Sequence, residues 1–272
     1  MNLIMTILEE IAEYTKARIE KEKKHISTNE LTTLAEKTNE NEGFVFEDAI
    51  RNSDNMAFIC ECKKASPSKG IIANEFPYVD IALEYEAAGA DAISVLTEPK
   101  WFLGSNSYLE EISMTVKIPC LRKDFTIDPF MIYEAKVIGA KAILLICSLL
   151  DTKTLNEYIQ IADELSLSHI VEAHDEKEIE SAMNAGARII GVNNRNLNDF
   201  SVDINNSGRL RSMVPKSTMF VAESGIKTRE DITKLEKIGV NAVLIGETLM
   251  RADNKMKMLN ELKGIERGHN NE

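Results

Sequence analysis

Cysteine and histidine are both scarce in this chain of 272 residues, with four of each. Cys60, Cys62, Cys120 and Cys147 form no C-x-x-C pair, and so few histidines supply no nearby co-ligands. A metal site of ordinary spacing is therefore not expected, and reduced thiols in a cytoplasmic protein are. No apolar run approaches the roughly 20 residues of a membrane span. The N-terminal stretch carries acids early and has no small-residue cleavage site, so it does not read as a signal peptide. Basic charge is in deficit. Thirty-two Lys and Arg against 44 Asp and Glu leave −12, which argues against a general nucleic-acid binder. A small anionic ligand stays open, because a few lysines and local dipoles can outweigh the global field. No G-x-G-x-x-G follows the first predicted strand, so an open dinucleotide-binding sheet is set aside.

What is present is an ordinary apolar content of 44% and a change of pattern near residue 57. Residues 3–24 predict an amphipathic helix, with Leu3, Ile4, Ile7, Leu8 and Ile11 at helical spacing and Lys21, Lys23 and Lys24 on a solvated face. Residues 25–56 are polar and mixed, anchored by Phe44, Val45 and Phe46. We read 1–50 as a helical extension packed on the main unit, and 51–272 as a catalytic barrel, one domain overall. Eight short apolar runs follow: Ala57–Lys63, Ala92–Thr97, Pro119–Lys123, Ala142–Ser148, His169–His174, Ile189–Asn194, Met219–Ser224 and Ala242–Gly246. Helix-patterned segments separate them, the signature of parallel βα units. Eight units in this length fit an α/β fold of the (β/α)8 TIM-barrel type. A repeat supports closure. Gly89, Gly139, Gly186 and Gly239 stand 50, 47 and 53 residues apart, each ending a helix and opening an even-numbered strand.

In such barrels chemistry sits at the carboxyl ends of the strands. The first run reads Phe58-Ile59-Cys60-Glu61-Cys62-Lys63. Alternation puts Glu61 and Lys63 on one face and Cys60 and Cys62 on the other. A charge in a buried strand is costly unless paired or used. An internal ion pair is the plain alternative for any one such residue, but polar residues recur at later strand ends. Lys63 and Lys123 are candidate general acids or anion binders. Glu61, Glu172 and Glu223 are candidate bases or electrostatic partners. Asn193 can orient a hydroxyl or cap a loop, and Arg195 stands beside it. His174 shares a face with Glu172 or caps the next helix, while His25, His169 and His269 look incidental. Glycines after the last two strands, Gly225 and Gly246, with Ser224 and Ser66, fit a phosphate seat. Trp101, Phe102 and Phe125 can stack on an aromatic ring or pack under a loop.

Six ordered motifs give the chain a resemblance to the indole-3-glycerol-phosphate synthase family over nearly its whole length. They are Glu61-Cys62-Lys63-Lys64-Ala65-Ser66-Pro67-Ser68, Leu96-Thr97-Glu98, Leu121-Arg122-Lys123-Asp124-Phe125, Val171-Glu172, Gly191-Val192-Asn193-Asn194-Arg195-Asn196-Leu197 and Ala222-Glu223-Ser224-Gly225-Ile226. The resemblance implies a carboxy-lyase of tryptophan biosynthesis, free of metal and cofactor. Its substrate joins an anthranilate-type ring to an open-chain ribulose phosphate. It implies Lys123 as general acid, Glu172 as general base in the dehydration and Glu61 in a proton relay. Lys63 would hold the carboxylate or share the acid role, and Asn193 and Glu223 would position hydroxyls. Ser66, Ser224, Gly225 and Gly246 would hold the phosphate, with Arg195 binding substrate and Phe102, Phe125, Leu144 and Leu197 lining the aromatic pocket. One departure stands out. Many relatives have a small hydroxyl residue where this chain has Glu247, so only the backbone N–H is expected to bind there. A fused second barrel is not expected within these 272 residues. The expected partner is a phosphorylated small molecule, with no nucleic acid or membrane, and the expected state is a monomer or weak homodimer.

Overall fold

The computed structural model describes residues 5–38, 42–196 and 200–265. The eight runs are the strands of a closed parallel barrel: β1 (Ala57–Cys62), β2 (Ala92–Leu96), β3 (Cys120–Lys123), β4 (Ala142–Ile146), β5 (Ser168–Ala173), β6 (Ile189–Asn193), β7 (Met219–Glu223) and β8 (Ala242–Ile245). Closure comes from β8 pairing back on β1, with Ala57 beside Ala242 and Cys60 beside Ile245. Lys63, His174, Ser224 and Gly246 fall just beyond their strands, because the chain leaves the ladder there to turn into the loops of the upper rim. Among the described residues no helix is long and apolar enough to cross a membrane.

Two-residue alternation divides the core. Ile59, Leu121, Leu144, Ile170 and Val221 fill the barrel interior. Their neighbours Phe58, Cys60, Ile93, Ile143 and Phe220 face outward, into the layer between sheet and helices. The four repeat glycines all take positive φ, from 76° to 91°. That left-handed step reverses the chain from helix to strand, and a Cβ would strain it.

The described residues of the N-terminal segment form three helices. Ile7–Glu22 starts on a Thr6/Glu9 capping box, and Leu3 and Ile4 lie outside the described residues. Thr28–Lys37 starts on a Ser27/Glu30 capping box, a helix the polar reading of 25–56 did not resolve. Its apolar face is narrow, with only Leu31 and Ala35 buried. It packs on the helix Pro129–Val137 through Leu31, Phe130 and Met131. The expected solvated lysine face holds only in part, because Lys23 pairs with Asp128 at 2.6 Å. Val45–Arg51 inserts Phe46 and Ile50 into the interior cluster and closes the barrel floor. There Arg188 bridges Glu47 and Asp163, each at 2.8 Å, and covers the Phe44 ring.

Candidate active site

A cavity of about 790 Å³ opens at the carboxyl ends of the strands. Glu61, Lys63, Ser66, Phe102, Lys123, Phe125, Leu144, Glu172, Asn193, Arg195, Glu223, Ser224, Gly225 and Gly246 all line it. Of the residues singled out from the sequence for this site, Leu197 alone lies outside the described residues. Others point elsewhere. Arg122 alternates to the outer face, where it bonds the Met131 carbonyl at 2.8 Å and Glu134 at 2.6 Å. Trp101 packs edge-on against Tyr14 with the Lys100 ammonium over its ring, so it is loop packing and not the aromatic wall. Glu98 is fully buried and accepts the N–H groups of Lys100, Trp101 and Phe102. It shapes the loop that delivers Phe102 to within 5.9 Å of Phe125, centroid to centroid. His169 is buried near the floor, where burial and Arg188 lower its pKa to about 3 and keep it neutral.

Lys123 is the centre of the charge network. Its ammonium lies 3.1 Å from Glu172 Oε2 and 3.1 Å from Glu223 Oε2, joining the ends of β3, β5 and β7. Burial alone would lower its pKa, but the charges of Glu172, Glu223 and Glu61 outweigh that and hold the proton on. Burial disfavours charge on Glu172 as well. Lys123, His174 and the Asn193 amide overcome it, so Glu172 stays ionised with a lowered pKa. Glu223 goes the other way. Burial, with the neighbouring charge of Glu172, pushes its pKa up to about 7 despite Lys123. One ammonium thus serves two carboxylates unequally, giving an ionised base and a carboxyl poised near neutrality. Glu223 Oε1 is buried with no hydrogen-bond partner among the described residues, a free acceptor for a ligand hydroxyl. Gly191 makes room for it, since a Cβ there would collide with that oxygen.

Opposite stand Glu61 and Lys63, the Lys63 ammonium donating to the Glu61 carboxylate. Gly246 is what lets them lie there. A Cβ on Gly246 would overlap the Glu61 carboxylate and sit 2.8 Å from the Lys63 ammonium. Ser224 and Gly225 take consecutive left-handed conformations, φ 67° and 82°, which turn the chain sharply at the mouth of β7. Glu247 meets three cations, Arg251 at 3.1 Å, Lys69 at 3.7 Å and Arg195 at 3.8 Å, so its charge is countered within the site.

Two contributors were not legible in the sequence. Ile7, Leu8 and Ile11 of the first helix roof the cavity, a stripe read only as packing. From the same helix, Arg18 reaches the buried Asp124 at 2.9 Å, next to Lys123. Asp124 also accepts from Thr97 at 2.7 Å and from the Phe125 N–H at 2.8 Å. The separation of 106 residues between Arg18 and Asp124 in the chain hides that pairing from any local pattern.

Residues 8–262 match the family model described as indole-3-glycerol phosphate synthase. A protein of that name from Ruminiclostridium cellulolyticum is 58% identical, covering 95% of this chain and 99% of its own. Another from Endomicrobium trichonymphae is 53% identical, covering 94% and 99%. Among solved structures, a 3-hexulose-6-phosphate synthase from Salmonella typhimurium superposes with a TM-score of 0.64 at 14% identity, covering 77% of this chain and 98% of that one. At that identity the likeness concerns the barrel alone.

Proposed function

The chain belongs to the indole-3-glycerol phosphate synthase family, and on that premise we propose how its residues divide the reaction. The activity is a decarboxylating ring closure in tryptophan biosynthesis, acting on a phosphorylated small molecule. The substrate, 1-(2-carboxyphenylamino)-1-deoxyribulose 5-phosphate, closes its ring carbon onto the ketone and then loses carbon dioxide and water. Lys123 is the general acid at the ketone oxygen, and the observation that carries this is its ammonium held 3.1 Å from both Glu172 and Glu223 inside the cavity. Glu172 is the base that takes the proton from the carbon beside nitrogen during dehydration.

Lys63, beside Glu61, neutralises the substrate carboxylate until it leaves, and Glu61 relays protons to and from that lysine. Glu223 Oε1 and the Asn193 amide receive the ribulose hydroxyls. Asn193 already donates to Glu172 Oε1 at 3.3 Å, which fits a group shared between substrate and base. The phosphate lies across Ser66, the Ser224–Gly225 turn and the Gly246 N–H, with Arg195 at its edge. Phe102, Phe125 and Leu144 hold the anthranilate ring, and Leu197 is assigned there by the resemblance alone. The acids, bases and lysines named all belong to one chain, so a monomer or weak homodimer in the cytoplasm suffices.

The test is direct. Purified protein is incubated with this substrate, and the indole fluorescence of the product is followed. A rise with one product formed per substrate consumed is expected. No indole while the phosphate ester still binds would overturn the reading.

A further inference from the structure

His174 stands just past β5, two residues beyond Glu172, and the roles proposed above leave it without work. Its geometry is specific. Nδ1 is 3.0 Å from Glu178 Oε2, and the His174 backbone N–H donates to the same oxygen at 2.7 Å. Nε2 faces Glu172 Oε1 at 3.5 Å and has no hydrogen-bond partner among the described residues. The ring also lines a second cavity of about 560 Å³, which shares Asn193 and Arg195 with the first. A single imidazole thus lies between the ionised base and a separate, polar cavity.

The reaction needs a proton at this place. The substrate carboxylate departs as neutral carbon dioxide, and the ketone oxygen departs as water. Substrate anion plus one proton therefore gives product, carbon dioxide and water. The ketone oxygen takes one proton as the ring closes and a second as it leaves. Glu172 recovers only one, from the carbon beside nitrogen. One proton per turnover must come from elsewhere in the site.

We propose that His174 is the proton reserve of this site, a positioning residue whose imidazolium, held between Glu172 and Glu178, supplies the missing proton through Glu172. The inference rests on the base role given to Glu172. The Nε2 proton passes to the ionised Glu172, and the carboxyl so formed then gives a proton to the deprotonated Lys123, 3.1 Å away, which leaves Glu172 ionised again. The ring is left neutral, keeping its Nδ1 proton and donating it in a hydrogen bond to Glu178. It is recharged from water after product leaves.

The surroundings favour a charged resting state. Burial works against the imidazolium, but the bond to Glu178 and the charges of Glu172, Glu178 and Glu223 outweigh it and raise the pKa. From the β4 side, the Cys147 thiol donates to the Glu178 carbonyl at 3.4 Å, and burial raises its pKa to about 12, so it stays neutral. Asp175, Glu178 and Asp203 line the second cavity with Arg195 and Arg209, so the acids outnumber the arginines three to two around the ring. Asn206 accounts for the His174 carbonyl, donating at 3.2 Å, so the loop is fixed independently of the ring.

The experiment compares wild type with His174→Asn, His174→Gln, Glu178→Gln and Glu172→Gln in single turnovers from pH 6 to 9, alongside substrate Kd. In wild type the rate should fall as pH rises through the raised imidazole pKa. Both His174 variants should lose that limb and run at least tenfold slower at pH 6.5, with Kd within twofold. Added imidazole buffer should restore their rate in proportion to its protonated fraction. Glu178→Gln should move the limb to lower pH, and it carries the test if the His174 variants do not fold. A His174 variant with the wild-type rate and limb would overturn the proposal, and so would a slow variant that imidazole does not rescue. An active Glu172→Gln, or a wild type that makes no indole product, would instead refute the reading beneath it.

Discussion

Replacing Lys123 with Met keeps nearly the length of the aliphatic stem and removes the ammonium shared by Glu172 and Glu223. Both carboxylates are almost fully buried, at 2% exposure, so water cannot take over as counter-charge. Breaking a buried pair by deleting one partner costs about 3–5 kcal/mol. The cost depends on pH, and its sign follows from which groups gain protons. Without Lys123, burial raises the Glu172 pKa above its unfolded value, and Glu223 rises beyond its present value of about 7. A carboxyl with a raised folded-state pKa binds more protons folded than unfolded, so the variant loses stability as pH rises through that pKa. The expected deficit against wild type is therefore about 3–5 kcal/mol at pH 8, shrinking at pH 5.5 as the carboxyls take up protons. Urea unfolding at both pH values measures it. Turnover is expected to fall about 10²–10⁴-fold, the usual contribution of a positioned acid. The same deficit at both pH values would refute the shared-ammonium argument. A rate within threefold of wild type would remove Lys123 from the acid role.

Gly246→Ala should press on the Glu61–Lys63 pair. We expect a loss of about 1–3 kcal/mol in stability and at least a tenfold loss in kcat/KM, whereas a silent variant would mean the pair can shift at no cost. Arg18→Met should cost about 3 kcal/mol by leaving Asp124 without its helix partner. The Asp124 pKa is lowered in the fold, so that stability is present above pH 4 and is lost as pH falls through the lowered pKa. The deficit in thermal melts should accordingly narrow below pH 4. Glu98→Gln should release at least one of three loop N–H groups, raise KM several-fold and change the fluorescence of the single tryptophan, Trp101. An unchanged emission spectrum and KM would show that the loop holds its shape without the carboxylate.

Where the sequence was readable, the cause was local. Glu61 and Lys63 share a face because strands alternate, and Cys60 and Cys62 fall into the outer layer for the same reason. Thr28–Lys37 went unresolved because its apolar face is two residues wide, although Ser27 and Glu30 carried its capping signal. Trp101 and Phe102 could not be told apart as aromatics after β2. The tertiary structure separates them: Glu98 gathers three loop N–H groups, Trp101 packs against Tyr14 and Phe102 turns toward Phe125.

The chain by itself determined eight βα units, the glycines that reverse each even-numbered unit, and the list of ionisable residues at the strand ends. Those follow from periodicity and backbone conformation, which are properties of neighbouring residues. Closure of the barrel decided the rest. It set Lys123 between carboxylates 49 and 100 residues away, so that burial and shared charge drive the pKa of Glu172 down and that of Glu223 up. The ring of His174 between Glu172 and Glu178 is by contrast local in origin, two and four residues from its partners, and what the closed barrel decided there is the burial and the shared charge that set its protonation.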